Sequence, residues 1–286
     1  MKRLIENTRF GEERALYAEK DLILRNVSFD GAEDGESALK EARGIELENC
    51  FCNLRYPFWH IMDLKIADTE MTELCRAALW YSENIEIRNT KMHGIKALRE
   101  CANVKIYGSD VRSPEFGWFN RGVTMENTTA ESEYFMMRSR DLKFRKVGLK
   151  GKYSFQYIEN ALFEDCSFDT KDAFWHSKNT TVKNSLIRGE YLGWYSENLT
   201  LIDCVITGTQ PLCYCKGLKL VNCKMYDADL CFEKSETEAT LLTPVISIKN
   251  PYRGRIYVPA AGEIIRDDPA SDGEIILTAP SEQRAG

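Results

Sequence analysis

The chain has 286 residues, a formal net charge of −6, and both signs of charge dispersed along its length. It offers no basic stripe to neutralise phosphates, which disfavours a nucleic-acid partner. No apolar run reaches membrane-spanning length and no secretory core follows Met1-Lys2-Arg3, so neither a membrane nor export is expected.

Residues 1–20 are charged, with Phe10, Leu16 and Tyr17 available to cover whatever follows, and they read as an N-terminal cap. A ruler starts at Asp21. After Gly44 and Asp63, the residues Asn84, Asn103, Gly122, Asp141, Asn160, Asn179, Asn198 and Gly217 follow one another every nineteen positions. Only Asn, Asp and Gly occupy this column, and these residues enter the left-handed backbone region at low cost. The chain therefore turns the same sharp corner once per repeat.

Each corner leads into apolar/polar alternation, the pattern of a half-buried strand. One position on lie Ile85, Val104, Val123, Leu142 and Leu199; three positions on lie Ile87, Ile106, Met125, Phe144 and Leu201. A second Asn/Asp column follows at Asn26, Asn49, Asp68, Asn89, Asn127, Asp165, Asn184, Asp203 and Asn222, then small and larger inward columns. Two short strands, a looser turn near Gly94, Gly151, Gly189 and Gly208, and a third strand make one coil of a solenoid. A leucine-rich repeat has a similar length, but Leu holds no privileged column here. The reading is all-β, a single-stranded right-handed parallel β-helix, because parallel crossovers are right-handed. It has eleven or twelve coils over residues 21–240.

Residues 241–286 read as capping strands followed by a polar tail. Val245 to Ile248, Arg255 to Val258 and Glu263 to Ile265 are the strand candidates. Among the ten cysteines, Cys50, Cys166, Cys204 and Cys223 share one small inward column with Thr and Ser, as buried reduced fillers do. Cys50/Cys52 and Cys213/Cys215 share strand faces with too few further ligands for a metal. A cytoplasmic protein without metal or cofactor is expected. The oligomeric state is not legible.

Chemistry is sought in the segment ahead of each corner. Three residues before it lie His60, Tyr81, Glu100, Phe119, Arg138, Tyr157, His176, Tyr195 and Tyr214; four residues before it lie all five tryptophans, with Arg99 and Gln156 among them. Adjacent strand residues face opposite ways, so both columns can be accessible only if the strand bends. Aromatic columns stack between coils without any ligand, each pair contributing roughly 0.5–1.5 kcal/mol. Equally, flat rings accept the C–H faces of sugars while Glu and Arg bond hydroxyls or a carboxylate. Tyr81, Glu100, Phe119, Arg138, Tyr157, His176 and Tyr195 are the candidate sugar-binding residues, and an oligosaccharide is the expected partner. No catalytic residue is identified. Glu100 and Glu233 lie seven coils apart, far beyond the roughly 5–9.5 Å of a glycosidase pair. His93, beside the Gly94 turn, reads as a solvated turn residue.

The corner ladder, the Asn-x-[Thr/Leu]-x-[Leu/Val]-x-[Asp/Asn]-[Cys/Ser] coils at 160–168, 179–187 and 198–206, and the Trp-[His/Tyr]-Ser-[Lys/Glu]-Asn segments at 175–179 and 194–198 resemble the DUF3737 family. The segment from Ser247 to Pro251 with Gly262 to Ile265 fits the same family. That resemblance implies a pectin-lyase-like right-handed β-helix, whose superfamily cleaves, isomerises or binds polysaccharides. The superfamily's paired Asp with Gly-His-Gly, or Arg-x-Pro-x-x-Arg, is not found in this sequence. Two functions stay open: a carbohydrate-binding or carbohydrate-active protein of lyase or hydrolase type, and a non-catalytic scaffold whose aromatic columns only pack.

Overall fold

The computed structural model describes residues 1–32 and 35–278. The end of the expected polar tail, residues 279–286, lies outside the described residues. The chain is all-β, a right-handed parallel β-helix of about fourteen turns. It divides into two compact units, Met1–Phe155 and Gln156–Gly286.

In the first unit the strands Met62–Ala67, Glu83–Arg88, Ala102–Tyr107, Arg121–Glu126 and Arg140–Arg145 pair in parallel, each with the next. Their register places Leu64, Ile85, Val104, Val123 and Leu142 on one inward line, and Ile66, Ile87, Ile106, Met125 and Phe144 on the next. All ten are buried. Each such side chain contributes roughly 1.5–3 kcal/mol relative to exposure. In the second unit Phe163, Val182, Leu201 and Leu220 form the equivalent buried line.

The corners are left-handed, as the ruler implies. Asn160, Asn179 and Asn198 have φ of 56, 49 and 54°. They also stack: Asn179 Nδ2 donates to Asn160 Oδ1 at 3.4 Å, and Asn198 Nδ2 to Asn179 Oδ1 at 3.0 Å. The first unit carries the same ladder through Asp63, Asn84 and Asn103, and a second one at the other corner through Asn7, Asn26 and Asn49.

Two features differ from the sequence reading. There are more turns than eleven or twelve, because the coil continues past both ends of residues 21–240, stepping nineteen residues from Arg3 to Leu22, seventeen from Glu236 to Arg253 and nineteen from Arg255 to Glu274. Arg3–Glu6 pairs with Lys20–Arg25, and Glu236–Leu241, Arg253–Val258 and Glu274–Leu277 pair in succession. The third segment of each coil is also mostly not a strand. Among the described residues it pairs as one at Leu79–Trp80 with Leu98–Arg99, with an isolated bridge from Arg99 to Trp118, and near the C-terminal end at Val245–Lys249 with Ala261–Ile265, with a bridge from Cys231 to Ile248. From Glu115 to Lys234 every second residue of the segment is left-handed, as in Tyr134, Met136 and Arg138, or Asp172, Phe174 and His176. A backbone that reverses sign at alternate residues cannot hold an extended strand.

Candidate functional site

The alternating turn decides which column faces water. In the first unit Tyr81, Glu100, Phe119 and Arg138 all have φ between 51 and 59°. The backbone there is regularly bonded without being a strand: Tyr81 N–H donates to Arg99 O, Glu100 N–H to Trp118 O and Phe119 N–H to Met137 O, at 2.9–3.2 Å. A left-handed residue swings its side chain off the strand line, so the outer column is exposed, apart from half-buried His176 and Tyr214, while the tryptophans one position earlier are half-buried. Tyr81 is 40% and Phe119 44% exposed; in the second unit Tyr157 and Tyr195 are each 43% exposed.

The tryptophans are structural. Each indole N–H donates to a turn carbonyl of the following coil: Trp59 to Ala77, Trp80 to Lys96, Trp118 to Tyr134, Trp175 to Tyr191 and Trp194 to Gln210, all at 2.6–2.8 Å. Trp59 lies flat on Trp80, and Trp175 on Trp194, with centroids 5.1 and 5.3 Å apart. The polar exceptions fit the same places. The Arg99 guanidinium sits 5.2 Å from the Trp80 ring and 5.5 Å from Trp118, filling the missing rung by cation–π contact. The Gln156 amide imitates the indole and donates to Asp172 O at 3.3 Å.

The outer column has a different organisation in each unit. In the second, Tyr157, His176, Tyr195 and Tyr214 are stacked face to face, with centroids 4.8, 5.0 and 4.9 Å apart. These rings turn their faces to one another and their edges to solvent. At the end of the stack Tyr214 Oη donates to Glu233 Oε2, and Lys249 Nζ holds the other carboxylate oxygen at 3.1 Å. Burial, with the Glu233 charge beside it, pushes the Tyr214 hydroxyl up to about 12.

In the first unit the stack is broken. His60 lies on Tyr81 at 5.1 Å, but Glu100 comes next, and Phe119 has Glu100 and Arg138 as its column neighbours instead of rings. Glu100 Oε1 accepts from Arg99 Nε at 3.2 Å, and the same guanidinium lies 5.4 Å from the Phe119 centroid. Two coils separate Glu100 from Arg138, about 10 Å at the usual strand spacing. The first unit thus brings together Tyr81, Glu100, Phe119 and Arg138, and the second brings together Tyr157, His176 and Tyr195.

His93 departs from its expected role as a solvated turn residue. Its side chain is only 20% exposed, with Nε2 2.8 Å from Asp110 Oδ2. The partner lies one coil on and two residues back, a diagonal that a column-by-column comparison does not reveal.

Residues 3–277 match the family described as "Protein of unknown function (DUF3737)". The chain belongs to that family. No curated protein matches this DUF3737 chain in sequence. Among solved structures it is similar to the A-module of the Azotobacter vinelandii mannuronan C-5 epimerase AlgE6, at 14% identity and a TM-score of 0.48, covering 98% of this chain and 89% of that one. It is also similar to PfbA, a surface adhesin of Streptococcus pneumoniae, at 7% identity and a TM-score of 0.35, covering 84% of each chain. A third similarity is to the pentapeptide repeat protein HetL of Nostoc, at 11% identity and a TM-score of 0.27, covering 78% and 92%.

Proposed function

We propose that this DUF3737 chain binds an oligosaccharide on the outer column of its turn segments. Tyr81, Glu100, Phe119 and Arg138 would form the binding stretch of the first unit, and Tyr157, His176 and Tyr195 that of the second. The observation carrying this reading is Phe119: a ring 44% exposed whose column neighbours are a carboxylate and a guanidinium, so that no column ring covers its faces. A pyranose C–H face rests on such a ring, while Glu100 accepts from hydroxyls and Arg138 grips a sugar carboxylate in bidentate fashion. The stacked rings of the second unit offer edges, hydroxyls and imidazole nitrogens, and serve as hydrogen-bonding rather than stacking subsites.

Binding is proposed without hydrolysis. Between His60 and Arg138 the column carries one carboxylate, Glu100, where glycoside hydrolysis uses two. A cytoplasmic location belongs to the same proposal, supported by the nine cysteines other than Cys166, which are free thiols packed in the interior.

Calorimetry with neutral and uronate-containing oligosaccharides tests the reading. Saturable heat is expected with wild type, weakened about tenfold or more by Phe119→Ala, the loss typical of an aromatic anchor. Absence of heat across the whole panel, with folded protein, rejects it. That outcome favours the second reading, a non-catalytic scaffold, whose supporting observation is that the indole N–H groups and the second unit's ring faces are already engaged within the protein.

A further inference from the structure

The first unit has a concavity of about 680 Å³ that shares no residue with the aromatic column, lined among others by His93, Ile95, Arg112, Glu131, Glu133 and Lys150. Its size lies within the roughly 300–1,000 Å³ of small-molecule sites. The strands Asp110–Arg112, Thr129–Glu133 and Gly148–Lys152 build it in register, with Arg112 beside Glu131 and Glu131 beside Lys150, then Glu133 beside Lys152. Ile95 and Pro114 supply an apolar patch at one end.

The groove is ordered rung by rung. At the apolar end Asp110 organises the cations: it holds His93 at 2.8 Å, accepts from Thr129 Oγ1 at 3.0 Å and meets Arg112 Nε at 3.4 Å. Burial raises the Asp110 carboxyl, but these three partners outweigh it and hold the group below its usual range. Arg112 is anchored through its inner nitrogen, and its side chain remains 65% exposed, which leaves the outer fork for a ligand. Next comes an acidic rung, Glu131 and Glu133, then a basic one, Lys150 and Lys152. Among the described residues no ion pair joins the side chains of these four.

We propose that this groove binds a small hydroxylated monocarboxylate, its carboxylate on the Arg112 fork and its hydroxyls on Glu131 and Glu133. The apolar patch of Ile95 and Pro114 suits the C–H surface of such a molecule. Carboxylates without ion-pair partners are acceptors for hydroxyl donors. A ligand on the Arg112 fork has Glu131 as its next rung and Lys150 one rung farther, so the second charge of a dianion such as a phosphate ester meets the carboxylates first.

Calorimetry with glucuronate, glucose and glucose 6-phosphate tests this on wild type, Arg112→Ala and Phe119→Ala. Glucuronate is expected to bind saturably, with glucose and glucose 6-phosphate weaker. Arg112→Ala is expected to reduce glucuronate affinity about tenfold, the loss of one charge-assisted contact. Phe119→Ala is expected to leave it unchanged, which separates this groove from the aromatic column. The double variant Glu131→Gln/Glu133→Gln keeps the acceptors but removes two charges, and should narrow the gap between glucuronate and glucose 6-phosphate. Absence of saturable glucuronate binding, retention of full affinity in Arg112→Ala, tighter binding of glucose 6-phosphate by wild type, or an unaltered gap in the double variant would each overturn the proposal.

Discussion

Asn198 Nδ2 donates to Asn179 Oδ1 across 3.0 Å, and both residues sit in the left-handed region at φ of 54 and 49°. The side chain therefore does two separable jobs: it bonds the neighbouring rung and it tolerates the corner. Asn179→Gly keeps the corner and loses the bonds, at about 0.5–1.5 kcal/mol. Asn179→Ala loses both, and should cost roughly 1–2 kcal/mol more. Urea midpoints rank the two, and an alanine variant as stable as the glycine variant would refute the corner argument.

Packing and binding are expected to separate at the aromatic columns. Trp175→Phe keeps a ring over Trp194 but orphans the Tyr191 carbonyl that now accepts at 2.6 Å. Leaving that acceptor unpaired costs about 1–3 kcal/mol. Phe119→Ala, at an exposed position, should cost under about 1 kcal/mol of stability while weakening sugar binding. The paired measurement is a denaturation curve and a titration on each variant. Equal stability losses in the two would mean that Phe119 is packing.

Burial pushes the thiols of Cys101 and Cys213 up to about 12 and that of Cys215 up to about 11, from an ordinary 9.0. A raised folded-state pKa contributes stability that is complete below the unfolded value and disappears as pH climbs through the folded one. The contribution of these thiols should be constant below pH 9 and decline between pH 9 and 12. A Cys101→Ala variant should therefore show a shallower alkaline fall in urea midpoint. An aromatic disulfide reagent should count the thiols only after unfolding, since all ten cysteines are buried. Rapid reaction of several thiols in the native state would contradict the inward assignment.

Two glycines of one strand should respond in opposite ways. A Cβ on Gly151 would come to 1.9 Å from the Ser132 carbonyl oxygen, whereas one on Gly148 meets nothing within 4 Å. Gly151→Ala is expected to cost about 3 kcal/mol through forced separation of two coils. Gly148→Ala should be neutral or slightly stabilising. Thermal midpoints decide, and tolerance of Gly151→Ala would show that the rungs can spread.

Fold and site were legible to different depths. The Asn column from Asn84 to Asn198 announced the coil because a left-handed corner accepts few residue types, so its chemistry recurs in the letters. The C-terminal turns escaped because register survives variable loop lengths, as between Glu236–Leu241 and Arg253–Val258, while a fixed period does not. The N-terminal turn keeps the period from Arg3 to Leu22 but has Lys2 where the corner column has Asn, Asp or Gly. The exposure of Tyr81 and Phe119 could not be read from strand parity, since parity holds only for an extended backbone and these residues are left-handed. His93 with Asp110 was hidden for another reason: the pair is diagonal, and diagonal contacts need rotamers, which no repeat spacing encodes.

The left-handed turn holds its neighbours through main-chain hydrogen bonds that ignore side-chain identity, so Tyr, Glu, Phe, Arg and His occupy it with the same geometry. Each rung thus presents one key on an unchanging keyboard. Selectivity for a new partner can be rewritten key by key, without retuning the frame beneath.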